Sequence, residues 1–531
     1  MRTDKNYFGV MLDVSRNGVM KVETVKKFAD IIAAMGYNMI QLYTEDTFSV
    51  KNEPCFGYMR GGYTVDEIRE IDGYCAEKGI ELIPCIQTLA HLNGIFKWKE
   101  YEEINDVKDI LLIGSERTYT LIENIFATVA ESFTSRRINI GMDEAQMVGL
   151  GKYLEKNGYK NRFEILHYHL KRVLDIAGKY GFKPMMWSDM FFRLNSNGNY
   201  YSDSVEITDE MKKSVPKNVD LIYWDYYNSE RRIYDNMIDG HKELCENVWF
   251  AGGAWTWAGF APFNQFAQKN MLPAMQACRE KGIKNIFITL WGDNGKECSF
   301  FSVLPTLYYI KKVYDGETNI EKIKQGFKAL TGEEYDAFMA LDLPNKICGN
   351  FDSGATNPCK YVFYADLFNN FTDSALPEGG DADYRKFKSI LKKAGKNSEF
   401  KYIFDCLESL CDVLSCKYGL GMKIRNAYGK RDKSELRELT DRVGTVIKKV
   451  RKFHTAFKNL WFTENKACGF DVQDIRIGGL IQRLGSCRER LEKYLGGEID
   501  LIEELETDLI SEKEKRFIFA DWAYCVTANS L

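Results

Sequence analysis

No run of about 18 consecutive apolar residues occurs in the 531-residue sequence, so no segment is expected to span a bilayer. The opening MRTDKNYFGVMLDV lacks the charged, then apolar, then small-residue order of a secretion signal. Charge of one sign is missing too. The 72 basic and 76 acidic residues intermingle to a net −4, which leaves no basic face for nucleic acid and no polybasic patch for a membrane. The expected partner is neutral or small. No Cys-x-x-Cys occurs, and Cys411 and Cys416 lack a metal-site spacing. The 14 cysteines are scattered, several (Cys75, Cys278, Cys406) within apolar helical patterns. Free buried thiols in a reducing cytoplasm are therefore expected. His167 and His169 flank a tyrosine with no companion ligand at a recognised spacing, so they read as helix packing. Neither a metal nor a cofactor is expected.

What the sequence does contain is a cadence over its first 310 or so residues: amphipathic helix, glycine, short apolar strand. VETVKKFADIIAAMG places Val25, Phe28, Ile32 and Met35 on one face and stops at Gly36. TVDEIREIDGYCAEKG opens with Thr64 and Glu67 in capping-box spacing and stops at Gly79. Further helices end at Gly181 and Gly282, where glycine supplies the left-handed cap. Eight strands follow this rhythm: FGVMLDV, NMIQLYT, IELIPCI, RINIGM, KPMMW, VDLIYW, VWFAGG and NIFITLW. They are continuous apolar runs, as expected for parallel strands buried on both faces. The pattern predicts an α/β fold, a closed (β/α)8 TIM barrel over residues 1–317, with an open doubly wound sheet as the alternative. No G-x-G-x-x-G follows the first strand to favour that alternative. Over 318–531 long charged-and-apolar helical segments predict an α-helical C-terminal domain packed against the barrel, interrupted by a Gly/Asn/Asp-rich loop region at 348–384. Buried scaffold or a homodimer surface is its expected role.

Chemistry in such barrels sits at the carboxyl ends of the strands. Those ends offer Asp13 and Arg16, Glu45 and Asp46, His91 and Asn93, Asp143 and Glu144, Trp187 and Asp189. The last three strands add Trp224, Asp225, Tyr226 and Tyr227, then Trp255 and Trp257, then Trp291, Asp293 and Glu297. Any one tryptophan reads more readily as core than as site. Their clustering beside acids instead suits a sugar, whose apolar ring face lies on an indole while carboxylates and arginine bind its hydroxyls. That points to glycoside chemistry. The two carboxyls of a standard retaining glycosidase stand about 5–5.5 Å apart across the scissile bond, and those of an inverting one about 6.5–9.5 Å. In INIGMDEAQM, residues 138–147, Asp143 and Glu144 are adjacent. Adjacent strand residues point to opposite faces, which suits them poorly to attack one anomeric carbon from both sides. One acid with a neighbour that orients a substrate group is the better division of labour.

NIGMDE resembles the His-x-Gly-x-Asp-Glu signature of the family 20 β-N-acetylhexosaminidases, with Asn139 where histidine is usual. The resemblance extends to LDVSR, the Pro84-to-His91 segment, Trp187 and Trp291-Gly292-Asp293. WFTENKACGFDVQDIR and the helical tail look like a cytoplasmic, exo-acting branch of that family, without the small αβ domain that commonly precedes the barrel. The resemblance implies removal of a terminal β-linked GlcNAc or GalNAc from a small oligosaccharide or glycoside. The nucleophile would be the substrate's own 2-acetamido oxygen, giving an oxazolinium intermediate. It further implies Glu144 as general acid and then base, and Asp143 as the residue orienting the acetamido N–H. Arg16 would bind the 3- and 4-hydroxyls, His91 would back the carboxylate pair, and Trp187, Trp255 and Trp291 would wall the pocket. The family's Tyr-x-Asp on strand 7 is replaced by AWTW, so the acetamido-binding tyrosine is expected at Tyr226 or Tyr227. Asp293 stands where the family has the longer glutamate, so contacts to the 4- and 6-hydroxyls would be altered. Two rivals remain: a conventional two-carboxylate glycosidase with Asp293, Asp225 or Asp189 as nucleophile, and a sugar-binding barrel without turnover.

Overall fold

A computed structural model describes residues 6–196, 198–201, 206–347, 356–369, 376–508, 521–527 and 529. Parts of the loop region expected at 348–384, namely 348–355 and 370–375, lie outside the described residues. Eight parallel strands close on themselves: β1 (Tyr7–Asp13), β2 (Met39–Tyr43), β3 (Glu81–Cys85), β4 (Arg137–Asn139), β5 (Lys183–Trp187), β6 (Asp220–Trp224), β7 (Val248–Gly253) and β8 (Asn285–Leu290). Each strand pairs with its neighbours in sequence, and β1 returns to β8 in register Tyr7↔Asn285 through Leu12↔Leu290. Closure rules out the open doubly wound sheet. Every residue of β1 is buried, as its unbroken apolar run requires for a strand covered on both faces.

The crossovers carry the four helices read from the sequence, α1 (Val22–Ala34), α2 (Val65–Glu77), α4 (Arg162–Lys179) and α6 (Asn264–Glu280), and two that were not, α3 (Glu116–Ser132) and α5 (Arg231–Leu244). The crossover after β5 differs, with two short helices at Asp189–Asn195 and Asp209–Ser214. In α1 the buried stripe is Val25, Phe28, Ala29 and Ile32, the spacing of one helical face. At α2 the capping box forms as spelled: Thr64 Oγ1 accepts the Glu67 N–H at 3.2 Å, and the Glu67 carboxylate accepts the Thr64 N–H at 2.8 Å. Gly79 follows α2 at φ +75°, in the left-handed region that a side chain would strain.

Two compact units divide the chain. The first comprises residues 1–254, 267–291 and 306–323, and the second 255–266, 292–305 and 324–531. Within the second, α7 (Gly380–Ala394), α8 (Lys401–Lys417), α9 (Lys433–Glu464) and α10 (Phe470–Gly496) pack in sequence order. The stripe Leu436, Leu439, Val443, Val446, Val450, Phe453, Phe457 and Leu460 gives the long α9 one buried face. A buried ion pair joins Lys360 Nζ to Glu297 Oε2 at 2.8 Å, and Arg476 lies 3.3 Å from the other Glu297 oxygen. Every cysteine among the described residues is free, and most are buried. No helix among the described residues is long and apolar enough to cross a membrane.

Phe28 is fully buried where α1 meets the barrel. Phe28→Ala is expected to lower stability by about 3–5 kcal/mol, read from a chemical unfolding midpoint. A loss below about 1 kcal/mol would mean that α1 is not docked as described.

Candidate active site

β4 is short because the chain leaves extended geometry at once. Gly141 (φ +73°), Met142 (+70°) and Glu144 (+51°) are left-handed. RINIGM was expected to run as strand through residue 142, and the strand instead ends at Asn139. Asp143 and Glu144 therefore stand on a tight turn, not on a strand. Left-handed backbone costs a non-glycine residue about 1–2 kcal/mol, so the turn needs support. Side chains provide it. Asn139 Oδ1 accepts the Gly141 N–H at 3.0 Å, Gln87 Oε1 the Met142 N–H at 3.2 Å, and Asp189 Oδ2 the Glu144 N–H at 3.1 Å.

The turn gives the two acids different surroundings. The Asp143 side chain is 11% exposed and that of Glu144 46%. Gln87 Nε2 donates to Asp143 Oδ1 at 2.8 Å, and His91 Nε2 lies 3.3 Å from the other oxygen. Burial weighs against a charged His91, but the Asp143 carboxylate overrides it and raises the imidazole to about 10. Burial also acts to raise Asp143, and the His91 charge with the Gln87 bond brings it below the usual carboxylate range. At neutral pH the pair is ionised. Glu144 Oε2 is 3.8 Å from the same imidazole, so one cation serves both acids.

Beside this pair, Arg16 Nη2 donates to Glu45 Oε1 at 2.9 Å, and the Tyr43 hydroxyl donates to the same oxygen at 3.0 Å. The Arg16 guanidinium lies 5.7 Å from the ring centres of both Tyr43 and Trp291. Tyr43 meets Trp291 edge-on at 4.8 Å, and Trp291 lies 6.1 Å from Trp187. Trp187 is buried, and its indole N–H has no hydrogen-bond partner among the described residues. Tyr226 stacks on Trp224 at 5.3 Å, and its hydroxyl is within bonding reach of Trp291 and Thr289. Tyr227 is half exposed and its ring stays at the surface. The structure thus gathers Arg16, His91, Asp143, Glu144, Trp187, Trp291 and Tyr226. Trp255, stacked on Trp257 at 4.3 Å, and Asp293 fall in the second compact unit.

Of the candidate nucleophiles, Asp225 has both oxygens occupied, whereas Asp189 accepts through Oδ2 alone and its buried Oδ1 has no partner among the described residues. Asp225 accepts bonds from the Tyr223 hydroxyl, the Tyr227 and Asn228 N–H groups and the Asn228 amide. Asp189 accepts from Glu144 N–H and from Arg193 Nε at 3.1 Å, and burial with the Asp143 charge pushes it up to about 7. Among the described residues no group of three or more histidine, cysteine, aspartate or glutamate side chains could hold a metal ion.

Sequence reasoning singled out neither Gln87, which bonds Asp143 directly, nor Arg193. Gln87 lies in the Pro84–His91 segment, where neutral polarity gave no signal. Arg193 follows Asp189 by four residues on one helix, and that pairing was readable.

Residues 6–242 match the family described as "Glycosyl hydrolase family 20, catalytic domain", and residues 336–517 match "Glycoside Hydrolase 20C C-terminal domain". "Hexosaminidase D" of Bos taurus is 24% identical over 252 residues, covering 45% of this chain and 67% of the relative. "Beta-hexosaminidase" of Porphyromonas gingivalis is 25% identical over 217 residues, covering 35% of this chain and 28% of the relative. A solved β-N-acetylhexosaminidase of Bacteroides fragilis superposes with a TM-score of 0.47 at 20% identity, over 62% of this chain and 70% of that one. The chain spans 42% of the length of the human "Hexosaminidase D", at 23% identity over 217 residues.

A Cβ on Gly141 would lie 2.0 Å from Gln87 Oε1. One on Gly158 (φ +68°) would meet nothing within 4 Å. Gly158→Ala is expected to cost about 1 kcal/mol and Gly141→Ala at least about 2 kcal/mol, measured by chemical denaturation. Equal costs would mean that Gln87 does not support the turn.

Proposed function

The chain belongs to glycoside hydrolase family 20, and we propose that it removes terminal, non-reducing β-linked N-acetylhexosamine with retention, the substrate's 2-acetamido oxygen being the nucleophile. The observation that carries the reading is the split environment of the adjacent acids: Asp143 buried and held ionised, Glu144 half exposed. A carboxylate kept charged beside the sugar accepts the acetamido N–H, turns its oxygen toward the anomeric carbon and balances the cation that develops. Glu144 protonates the glycosidic oxygen and then, as its conjugate base, activates the water that opens the oxazolinium ring. Arg16, held by Glu45, binds hydroxyls at the far edge of the sugar. Trp187 and Trp291 carry its apolar face, and Tyr226 supplies the hydroxyl for the acetamido oxygen. The occupied oxygens of Asp225 weigh against it as the nucleophile of the two-carboxylate alternative. A cytoplasmic setting and small oligosaccharide substrates belong to the same reading, supported by the free thiols.

The discriminating experiment compares the nitrophenyl β-N-acetylglucosaminide with the matching β-glucoside, which differs only at carbon 2. Turnover of the first alone is expected, whereas comparable turnover of both would remove the acetamido group from the mechanism. Asp143→Asn is expected to lower kcat by about 10²–10³-fold, since it loses the charge that stabilises the transition state. An unchanged kcat would sink the orienting role. Glu144→Gln should lose about 10²–10⁴-fold on substrates with poor leaving groups, and much less on activated aryl glycosides that need no protonation. Equal losses on both would remove Glu144 as the acid.

A further inference from the structure

The two oxygens of Glu144 face different neighbours. Oε2 is 3.8 Å from His91, on the Asp143 side, and Oε1 is 3.9 Å from Arg193 Nη2. Beyond Arg193 lies an open cavity of about 640 Å³, within the range that ligand sites occupy. Its lining includes Gln146, Tyr159, Arg162 and Arg193. Arg193 is already paired with Asp189. Arg162 is not: its guanidinium donates to the Gln146 carbonyl, and its buried Nε has no partner among the described residues. Glu210 is the one carboxylate among the described lining residues, and it forms no ion pair with Arg162. Burial weighs against the Arg162 charge, with only Tyr159 nearby to offset it. Tyr159 is 74% exposed and offers an aromatic face at the same cavity.

On the hydrolase reading above, the cleaved sugar occupies the Asp143 side of Glu144, so the leaving group extends past Oε1 toward Arg193 and this cavity. We infer that the cavity is a leaving-group site for an anionic sugar, its carboxylate or sulfate taken by Arg162 and its ring laid on Tyr159. A half-buried guanidinium lacking a carboxylate has donors to spare for a bidentate anion. The anion is common to uronic acids and sulfated sugars, and the test separates them.

Three β-N-acetylglucosaminyl disaccharides would be compared, with glucose, glucuronic acid or glucose 6-sulfate at the reducing end. An acidic leaving group is expected to raise kcat/KM about tenfold over glucose through KM, the size of a charged hydrogen bond. The advantage should shrink as ionic strength rises. In Arg162→Ala the acid-to-neutral ratio should fall to about one, and in Arg162→Lys it should be partly kept. Preference for the uronate alone or the sulfate alone supports the site and identifies its anion. Equal rates on all three in the wild type, or a ratio that survives Arg162→Ala, overturn the site and leave the hydrolase reading standing. Inertness toward all three and toward the aryl β-N-acetylglucosaminide overturns both.

Discussion

A buried negative charge at Asp143 is the condition on which the surrounding strand ends depend. Taking a carboxylate out of water costs several kcal/mol unless cation and hydrogen bonds replace the solvent, and removing one partner of a buried pair typically costs about 3–5 kcal/mol. His91 and Gln87 meet that cost from the loop after β3. The turn after β4 brings the carboxylate to them, and Asp189 after β5 holds the turn. The ladder between β3 and β4 is a single Cα pair, Cys85↔Asn139. Polar bonds across those ends take up what the ladder lacks: Thr88 Oγ1 donates to the Ile140 carbonyl at 2.8 Å, and Asn139 Nδ2 reaches Gln41 on β2 at 3.3 Å. The same bonds that close this part of the barrel hold the acid in place.

The barrel was legible because its elements are locally consistent. Apolar runs of strand length, 3.6-residue stripes, the Thr64–Glu67 box and helix-ending glycines all point one way. The turn at 141–144 was not, because a left-handed Met142 and Glu144 are held by side chains distant in sequence, and nothing in local propensity announces them. Residue types that carry charge or a large ring could be placed at the strand ends. Gln87 could not, since a glutamine bonding three groups at once has the same composition as one on the surface. That Tyr226 turns inward onto Trp224 while Tyr227 stays half exposed was not readable either, for local sequence does not say which of two adjacent residues after a strand turns in.

In the second unit the buried Lys360–Glu297 pair follows the same rule in a different setting. Lys360 is fully buried and also donates to Asn294 Oδ1 at 3.0 Å, while Arg476 donates to the Asn294 carbonyl at 2.7 Å. Glu297 is one of the strand-end acids read from the sequence, and both of its oxygens face basic partners here. Glu297 is buried against its two cations, whereas Glu144 is half exposed and stands 3.8 and 3.9 Å from His91 and Arg193.

The buried free cysteines are spread across both units, with Cys75, Cys85 and Cys278 in the first and Cys298, Cys359, Cys406, Cys411 and Cys487 among those in the second. Burial raises their thiols, to about 12 for Cys75 and for Cys487, so little nucleophilic thiolate exists in the folded state. Each thiol reacts at a rate set by how often its own surroundings open. The chain therefore carries native probes of local opening in both units, and timed alkylation followed by peptide mapping can rank the two in stability without a single introduced label.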